Sequence, residues 1–357
     1  MLRWLERFAD LGIRNIVQLG SWTRLWQSPD LTPLIEDITA RLREVGQAIW
    51  VVDGDGDGEL RRLPRNGSGS VLAAEGIRYL PRGTRGWFET GRTWAALGGG
   101  ATMGAASHGW VQRQEIVDGR WWPDEIVSDE DIEALGEGHA DVLFAHDMPS
   151  GVPAVSEYLR TQLPRRQFTF SDRMYDIRAR GRFTEAFHLV SPRVHFGAHF
   201  PLYVNQVVGF DGGRGGYATR IVLLDALDSP LPCAAILDVE TLDVSVLGSE
   251  GERVAPESQV LDLTVQTMGR WRVLSRDSTH LFDLDRHLWL RSPGPLAGDG
   301  LDQTTRRVRS IERCRVGERG YWTMPGAGYL IDYSWHDSSV IRFIEPFEGH
   351  WPDMGDG

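Results

Sequence analysis

The stretch AIWVVDGDGDGELRRLP, residues 48–64, decides how the rest of the chain is read. Ala48-Ile49-Trp50-Val51-Val52 is an unbroken apolar run of strand length, and three aspartates then alternate with three glycines. An apolar run closed by turn residues predicts a buried strand that empties into a loop. Asp53, Asp55, Asp57 and Gly58 match the first half of an EF-hand calcium loop, which needs oxygen ligands at positions 1, 3 and 5 and a glycine at 6. The match stops at position 12, where a bidentate carboxylate is required and Pro64 stands. A strand rather than a helix before the loop also argues against calcium. Glycine and aspartate are equally the residues of a plain turn, so the surrounding elements must say what the loop does.

Upstream, the pattern alternates. Leu2, Leu5, Phe8 and Leu11 fall at helical spacing, and Gly12 suits a C-terminal cap. RNIVQLG, 14–20, reads as a short strand. SPDLTPLIEDITARLREVG, 28–46, reads as a helix with Leu34, Ile35, Ile38 and Leu42 on one side. Strand–helix–strand alternation implies parallel strands and an α/β architecture. Downstream, residues 70–122 break into short hairpin-like runs, SDEDIEALGE (128–137) reads as a helix with an acidic first turn, and ADVLFAHDMPSGVP (140–153) reads as a strand ending in polar residues. PRVHFGAHFPLYVNQVVGF (192–210) is read as a strand, a loop and a returning strand, and GFDGGRGGYA (209–218) as a hairpin turn. From about 255 the alternation becomes purely strand-like. The expected organisation is a domain over 1–247, a linker over 248–257, a small β-rich module over 258–347 and a loose tail over 348–357.

Composition bounds the function. Of the 357 residues, 41% are hydrophobic, enough for a packed core, and no apolar run approaches a membrane span. Arg3, Glu6 and Arg7 interrupt the N-terminus, so no secretory signal is expected, and Cys233 and Cys314 have no metal or redox spacing. A cytoplasmic protein with no membrane partner is the expectation. A formal net charge of −12 argues against general nucleic-acid binding. The arginine-rich runs 165–182 and 306–319 read as solvated faces, the glycine-rich run 98–109 as a loop and Trp121-Trp122 as packing residues. The chain has no lysine.

With these elements in order, IRNIVQLGSW, IWVVDGDGDGE, GIRYLPRGTRGWF, WWPDEIVSDEDIEAL and ADVLFAHDMPSGV resemble the calcineurin-like metallophosphoesterases, in particular a bacterial and phage subgroup. The resemblance covers roughly the first 210 residues. It implies a β-sandwich flanked by helices, with two metal ions at strand ends that activate water and stabilise the attacking and leaving oxygens of a phosphate ester. The family uses five ligand motifs. The first, Asp-x-His, has no counterpart here, and the chain begins at about the helix that follows it. The second, Gly-Asp, is Gly20-Ser21. The third, Gly-Asn-His-Glu/Asp, is Gly54-Asp55-Gly56-Asp57. The fourth, a histidine followed by aspartate, is kept as His146-Asp147. The fifth, Gly-His-x-His, is Gly197-Ala198-His199-Phe200, with His195 and His199 close by.

The resemblance therefore implies Asp55, His146 and His199 as residual metal ligands, with Asp55 and His146 meeting at one cleft although 91 positions apart. Ser21, Gly56 and Ala198 imply that two-metal catalysis is lost. The expectation is a catalytically degenerate phosphoesterase-like protein that binds a protein or small-molecule ligand, without a cofactor and without catalytic residues. The alternative is a phosphoesterase with a reduced or single-metal site holding Mn, Fe, Zn or Ni. A missing first strand would leave 14–20 without a neighbour on one side, to be covered by another segment or by a second copy in a homo-oligomer.

Overall fold

A computed structural model describes residues 2–21, 32–64, 71–114, 116, 121–162, 168–213, 215–227, 229–255, 258–295, 297, 304–326 and 333–351. The chain divides into two units: Met1–Asn205 with Ile221–Pro256, and Gln206–Arg220 with Glu257–Gly357. It is a mixed α/β protein with several sheets.

The first unit opens with α1 (Leu2–Asp10), β1 (Asn15–Leu19), α2 (Thr32–Val45), β2 (Ala48–Val52), β3 (Val71–Ala74) and β4 (Ile77–Tyr79). Helix α1 ends as its glycine dictates: Gly12 takes a φ of +73°, and Ile13 N–H donates to Phe8 O at 2.8 Å. The sheet order is β1-β2-β4-β3, with β1, β2 and β4 parallel and β3 antiparallel to β4. Strand β2 shows why the apolar run at 48–52 is unbroken. Ile49 and Val51 face Leu5 of α1 and Ile38 and Leu42 of α2, whereas Trp50 and Val52 join Leu19, Ala96, Phe144 and Phe196 in a second core. Both faces are covered, so alternation disappears from the sequence.

That second core is shared with a six-stranded sheet, order β5-β6-β7-β8-β10-β9, built from β5 (Arg85–Trp87), β6 (Thr93–Leu97), β7 (Val142–Ala145), β8 (Val194–Gly197), β9 (Val204–Gly212) and β10 (Gly215–Leu223). Strands β6, β7 and β8 are parallel. The two sheets thus pack face to face, and the ends of β1, β2, β6, β7 and β8 supply the loops considered below. The helices α3 (Trp110–Arg113), α4 (Asp129–Leu135), α5 (Pro153–Gln162) and α6 (Phe170–Val190) lie between strands in the chain. Helix α4 starts with a reciprocal box between Ser128 and Asp131.

The arginine-rich run at 165–182 falls largely on α6, the longest helix described, where Arg173 and Arg178 are exposed; residues 163–167 lie outside the described residues. Its start is fixed by Thr169 and Asp172, each side chain capping the other's backbone. The stretch expected as a linker is tied down through Val254, whose N–H returns to Val246 O on β12 (Val244–Leu247), while Arg3 and Arg7 hold Ser249 O and Gly251 O. Strand β12 pairs with β11 (Ala234–Leu237). Among the described strands, β1 forms a ladder only with β2.

The second unit is a seven-stranded sheet, order β16-β15-β14-β13-β19-β18-β17. Its strands are β13 (Arg270–Ser275), β14 (Ser278–Asp283), β15 (Leu288–Pro293), β16 (Arg306–Arg307), β17 (Ser310–Arg313), β18 (Arg319–Pro325) and β19 (Tyr333–Pro346). Phe282, Trp289, Trp322 and Ile341 centre its core. Gln206–Arg220, sequence-adjacent to the first unit, belongs here: a Cβ on Gly209 would lie 2.0 Å from Ile341 O. Trp351 is buried against Leu281, Leu288 and Leu290. Trp351→Ala is expected to cost the second unit about 3 kcal/mol, read as a lower denaturation midpoint of the full chain. A change below about 0.5 kcal/mol, as for a surface side chain, would show that the contact is idle.

Candidate metal centre

The three aspartates of the DGDGDG run meet three different fates. Asp53 is fully buried and takes Arg82: Nε at 2.9 Å and Nη2 at 2.7 Å to Oδ2, with Tyr79 OH donating to Oδ1 at 3.0 Å. Asp57 folds back and accepts Gly54 N–H at 2.8 Å, closing the turn. Only Asp55, its side chain 31% exposed, reaches the strand-end cleft. The alternation of the sequence is thus one core ion pair, one cleft-facing carboxylate and one loop clasp.

Two histidines converge on Asp55. His146 follows β7, and its Nδ1 lies 2.7 Å from Leu19 O at the end of β1. A carbonyl can only accept, so Nδ1 carries the proton and Nε2 is turned to the cleft. There Nε2 lies 3.0 Å from Asp55 Oδ1 and 3.1 Å from His199 Nδ1; His199 Nδ1 to Asp55 Oδ1 is 3.9 Å. Ser21 Oγ donates to the same Asp55 oxygen at 3.3 Å. His146 is buried and His199 nearly so.

Glycines make room for this pair. A Cβ on Gly20, after β1, would sit 2.5 Å from His146 Nδ1, and one on Gly54, after β2, 2.9 Å from the same ring. One on Gly100, in the loop after β6, would sit 3.1 Å from both His146 and His199. Three strand-end glycines therefore form the slot that holds the imidazoles. Ser21 and His199 both adopt left-handed backbone, φ +55° and +54°, which side-chain-bearing residues seldom do. Strain of this kind concentrates at functional sites.

Electrostatics follow from the packing. Burial opposes charge on both partners, but their mutual hydrogen bond and attraction win: His146 is pushed up to about 9 and Asp55 is held well below the usual carboxylate range. The Nε2 proton of charged His146 is donated to Asp55 Oδ1 at 3.0 Å. A metal ion would take the place of that proton. Donor atoms about 2.1 Å from one ion are separated by about 3.0–3.5 Å, and two of the three separations fall there. Asp55, His146 and His199 offer a carboxylate and two imidazoles, a set that suits divalent transition metals. With a metal bound, the Leu19 carbonyl on His146 Nδ1 would be the outer partner that fixes the ring's tautomer.

The structure thus brings together Asp55, His146 and His199. It does not bring in His195, which points the other way from β8, packs on Phe183 and Phe187, and is held down to about 4 by burial. Asp147 also turns inward, to Met148 N–H. The Trp121-Trp122 pair is core: Trp122 donates to Gly56 O at 2.9 Å and lies against Gly58, so it backs the aspartate loop. Among the described residues, no other group of three His, Cys, Asp or Glu residues is placed to hold an ion. Comparison with protein-family models finds no match to this chain, and comparison with curated proteins finds none.

Sequence reasoning missed two networks behind the cleft. Arg82 extends beyond Asp53 to Asp131 Oδ2 at 3.0 Å and to the carbonyls of Asp124, Glu125 and Ile126. Glu125 accepts Thr102 N–H, Thr102 Oγ1 and Tyr175 OH, and Tyr175 in turn accepts Trp121 Nε1. No spacing signal marks either, because the partners come from separate segments.

Burial pushes the Glu125 carboxyl up to about 8 despite its hydrogen bonds. The folded value lies above the unfolded one of about 4.3, so the proton's contribution to stability is complete below the unfolded value and is lost as pH rises through the folded value. The stability of the natural chain relative to Glu125→Gln is therefore expected to fall between about pH 5 and pH 9, measured by denaturant unfolding. A difference that does not change with pH would contradict this. Arg82→Met, which strands Asp53, is expected to cost about 3–5 kcal/mol by the same measurement.

Proposed function

We propose that this chain is a metallophosphoesterase-like protein that binds one divalent transition-metal ion through Asp55, His146 and His199, and that it recognises a phosphate-ester ligand there without two-metal hydrolysis. The observation that carries the reading is the convergence of three donor atoms within 4.8 Å, with His146 Nδ1 donating to Leu19 O so that Nε2 is the nitrogen turned to the other two. The phosphate-ester class rests on the resemblance of the flanking stretches to that family.

When bound, the ion would act as a Lewis acid toward an oxygen of the ligand. The chain's own residues do the rest. Leu19 O fixes the His146 ring, Ser21 Oγ steadies the Asp55 carboxylate, and Gly20, Gly54 and Gly100 let the backbone close around the imidazoles. The exposed side of Asp55 leaves one direction open for a ligand. Position 21 is a serine, neutral at pH 7, where a bridging carboxylate would be needed for a second ion. Gly56 has no side chain to give a proton to a leaving group.

A second reading, single-metal hydrolysis, draws on that same open direction, since it admits water as readily as a ligand. Metal counting and turnover separate the two. The purified chain, stripped and reloaded with Mn, Fe, Zn or Ni, is expected to retain one equivalent of at least one metal. His146→Ala and His199→Ala are each expected to weaken retention at least about tenfold. Generic phosphate mono- and diesters are expected to show no metal-dependent turnover. Turnover that tracks one bound ion would favour the hydrolase. Retention of no metal, or of two ions per chain, would overturn the single-ion reading.

A further inference from the structure

Helix α6 inverts the usual polarity of a surface helix over its first three turns. At about 100° per residue, Phe170, Met174, Ile177 and Gly181 fall within about 60° of one another around the helix. Phe170 is 70% exposed, Met174 46% and Ile177 52%. The opposite side carries carboxylates into the interior: Asp172 accepts Ser107 N–H at 2.9 Å, and Asp176 accepts Arg180 Nε at 3.0 Å. A surface helix ordinarily turns its apolar stripe inward and its charges outward. This one is also well anchored, by the Thr169–Asp172 box and by Tyr175 OH donating to Glu125 at 2.8 Å. A contiguous apolar patch left exposed on an anchored element marks an interaction surface.

Its flanks are charged with one sign. Arg173 and Arg178 lie on opposite sides of the stripe, both exposed, and neither side chain makes a hydrogen bond or ion pair among the described residues. Every other arginine of helices α1–α6 donates to a carboxylate or to a backbone carbonyl. The two cations beside the apolar stripe are thus the ones left without a partner. Gly181 continues the stripe by one turn, and a Cβ built on it would meet nothing within 4 Å. Glycine is disfavoured inside a helix, and no neighbour in this chain requires one here. What it provides is room for another backbone to approach closely.

We propose that this face of α6 docks an amphipathic helix of a partner protein, one whose apolar stripe is flanked by acidic residues. Apolar positions alternately four and three residues apart form the seam along which two helices pack. Phe170, Met174 and Ile177 are the apolar anchors, Gly181 receives a large side chain of the partner, and Arg173 and Arg178 pair with its carboxylates on either side. A second copy of this chain is a poor occupant, because its own arginines would meet these across the seam. An anionic bilayer is a poor one too: the glycine gives nothing to a lipid surface, and the net charge of −12 opposes approach. The surface is independent of the Asp55 cluster and does not rest on the function proposed for it.

The test is fluorescence anisotropy of a labelled three-heptad peptide, with leucine at a and d and glutamate at e and g, titrated with the full chain. A peptide with lysine at e and g is the parallel arm. Saturable binding of the glutamate peptide is expected, with a dissociation constant below about 1 mM, and weaker binding of the lysine peptide. The chain is negative as a whole, so this preference would not come from its net charge. Ile177→Glu is expected to weaken binding at least about tenfold. Arg173→Glu combined with Arg178→Glu should reverse the preference between the peptides. All three positions are exposed, and the denaturation midpoint checks that each variant is folded. Gly181→Leu should weaken binding about threefold or more and, as a better helix former, leave the midpoint equal or higher. No saturation by the glutamate peptide, equal binding of the two peptides, or an unchanged preference in the folded double variant would overturn the proposal. A dimer in sedimentation that Ile177→Glu dissociates would assign the face to a second copy. Pelleting with phosphatidylserine vesicles that the same variant abolishes would assign it to a bilayer. Either result would overturn the proposal.

Discussion

The first unit depends on Arg82. Its guanidinium is 2% exposed and satisfied on every nitrogen, by Asp53, Asp131 and three consecutive backbone carbonyls. An ion pair this deep is a poor source of net stability, because desolvation offsets most of the attraction. What it supplies is position. Asp53 is the first residue after β2, and its carbonyl receives Gly99 N–H; Glu125, held by its carbonyl, receives Gly100 N–H. Arg82 therefore sets the distance between the aspartate loop and the glycine loop that lies across the two histidines.

From that constraint the candidate centre follows with little freedom. Once Asp53 is committed to the core and Asp57 to its own turn, Asp55 is the residue of the run left to face the cleft. The slot beside it is as wide as an imidazole because Gly20, Gly54 and Gly100 have no Cβ. Bulk added at any of them would meet His146, so these glycines are as specific to the cluster as its three donor residues are. The outcome is a site with one carboxylate and two imidazoles.

Much of this was legible in the sequence, and the illegible parts share a cause. The unbroken apolar run at 48–52 announces a strand covered on both faces, and Gly12 and Gly46 mark the ends of their helices. Asp55 and His146 were nominated by their place in motifs, and His199 by a one-residue shift that its left-handed backbone accommodates. Helix α6 was missed because its apolar residues do not form one stripe: Phe183 and Phe187 are buried near its end, while Phe170, Met174 and Ile177 are exposed near its start. The Thr169–Asp172 capping pair was the available signal. Arg82 and Glu125 were not legible at all, since their roles depend on segments that come together only in the folded chain. Trp351, in a polar tail, was missed for the same reason.

The central claim is that one ion sits between Asp55, His146 and His199. X-ray absorption at the edge of the bound metal tests it most directly. The account predicts a first shell at about 2.0–2.2 Å with the outer-shell scattering of two imidazoles, reduced to one in His199→Ala. A spectrum without imidazole scattering, or with a second metal at about 3.5–4 Å, would contradict it.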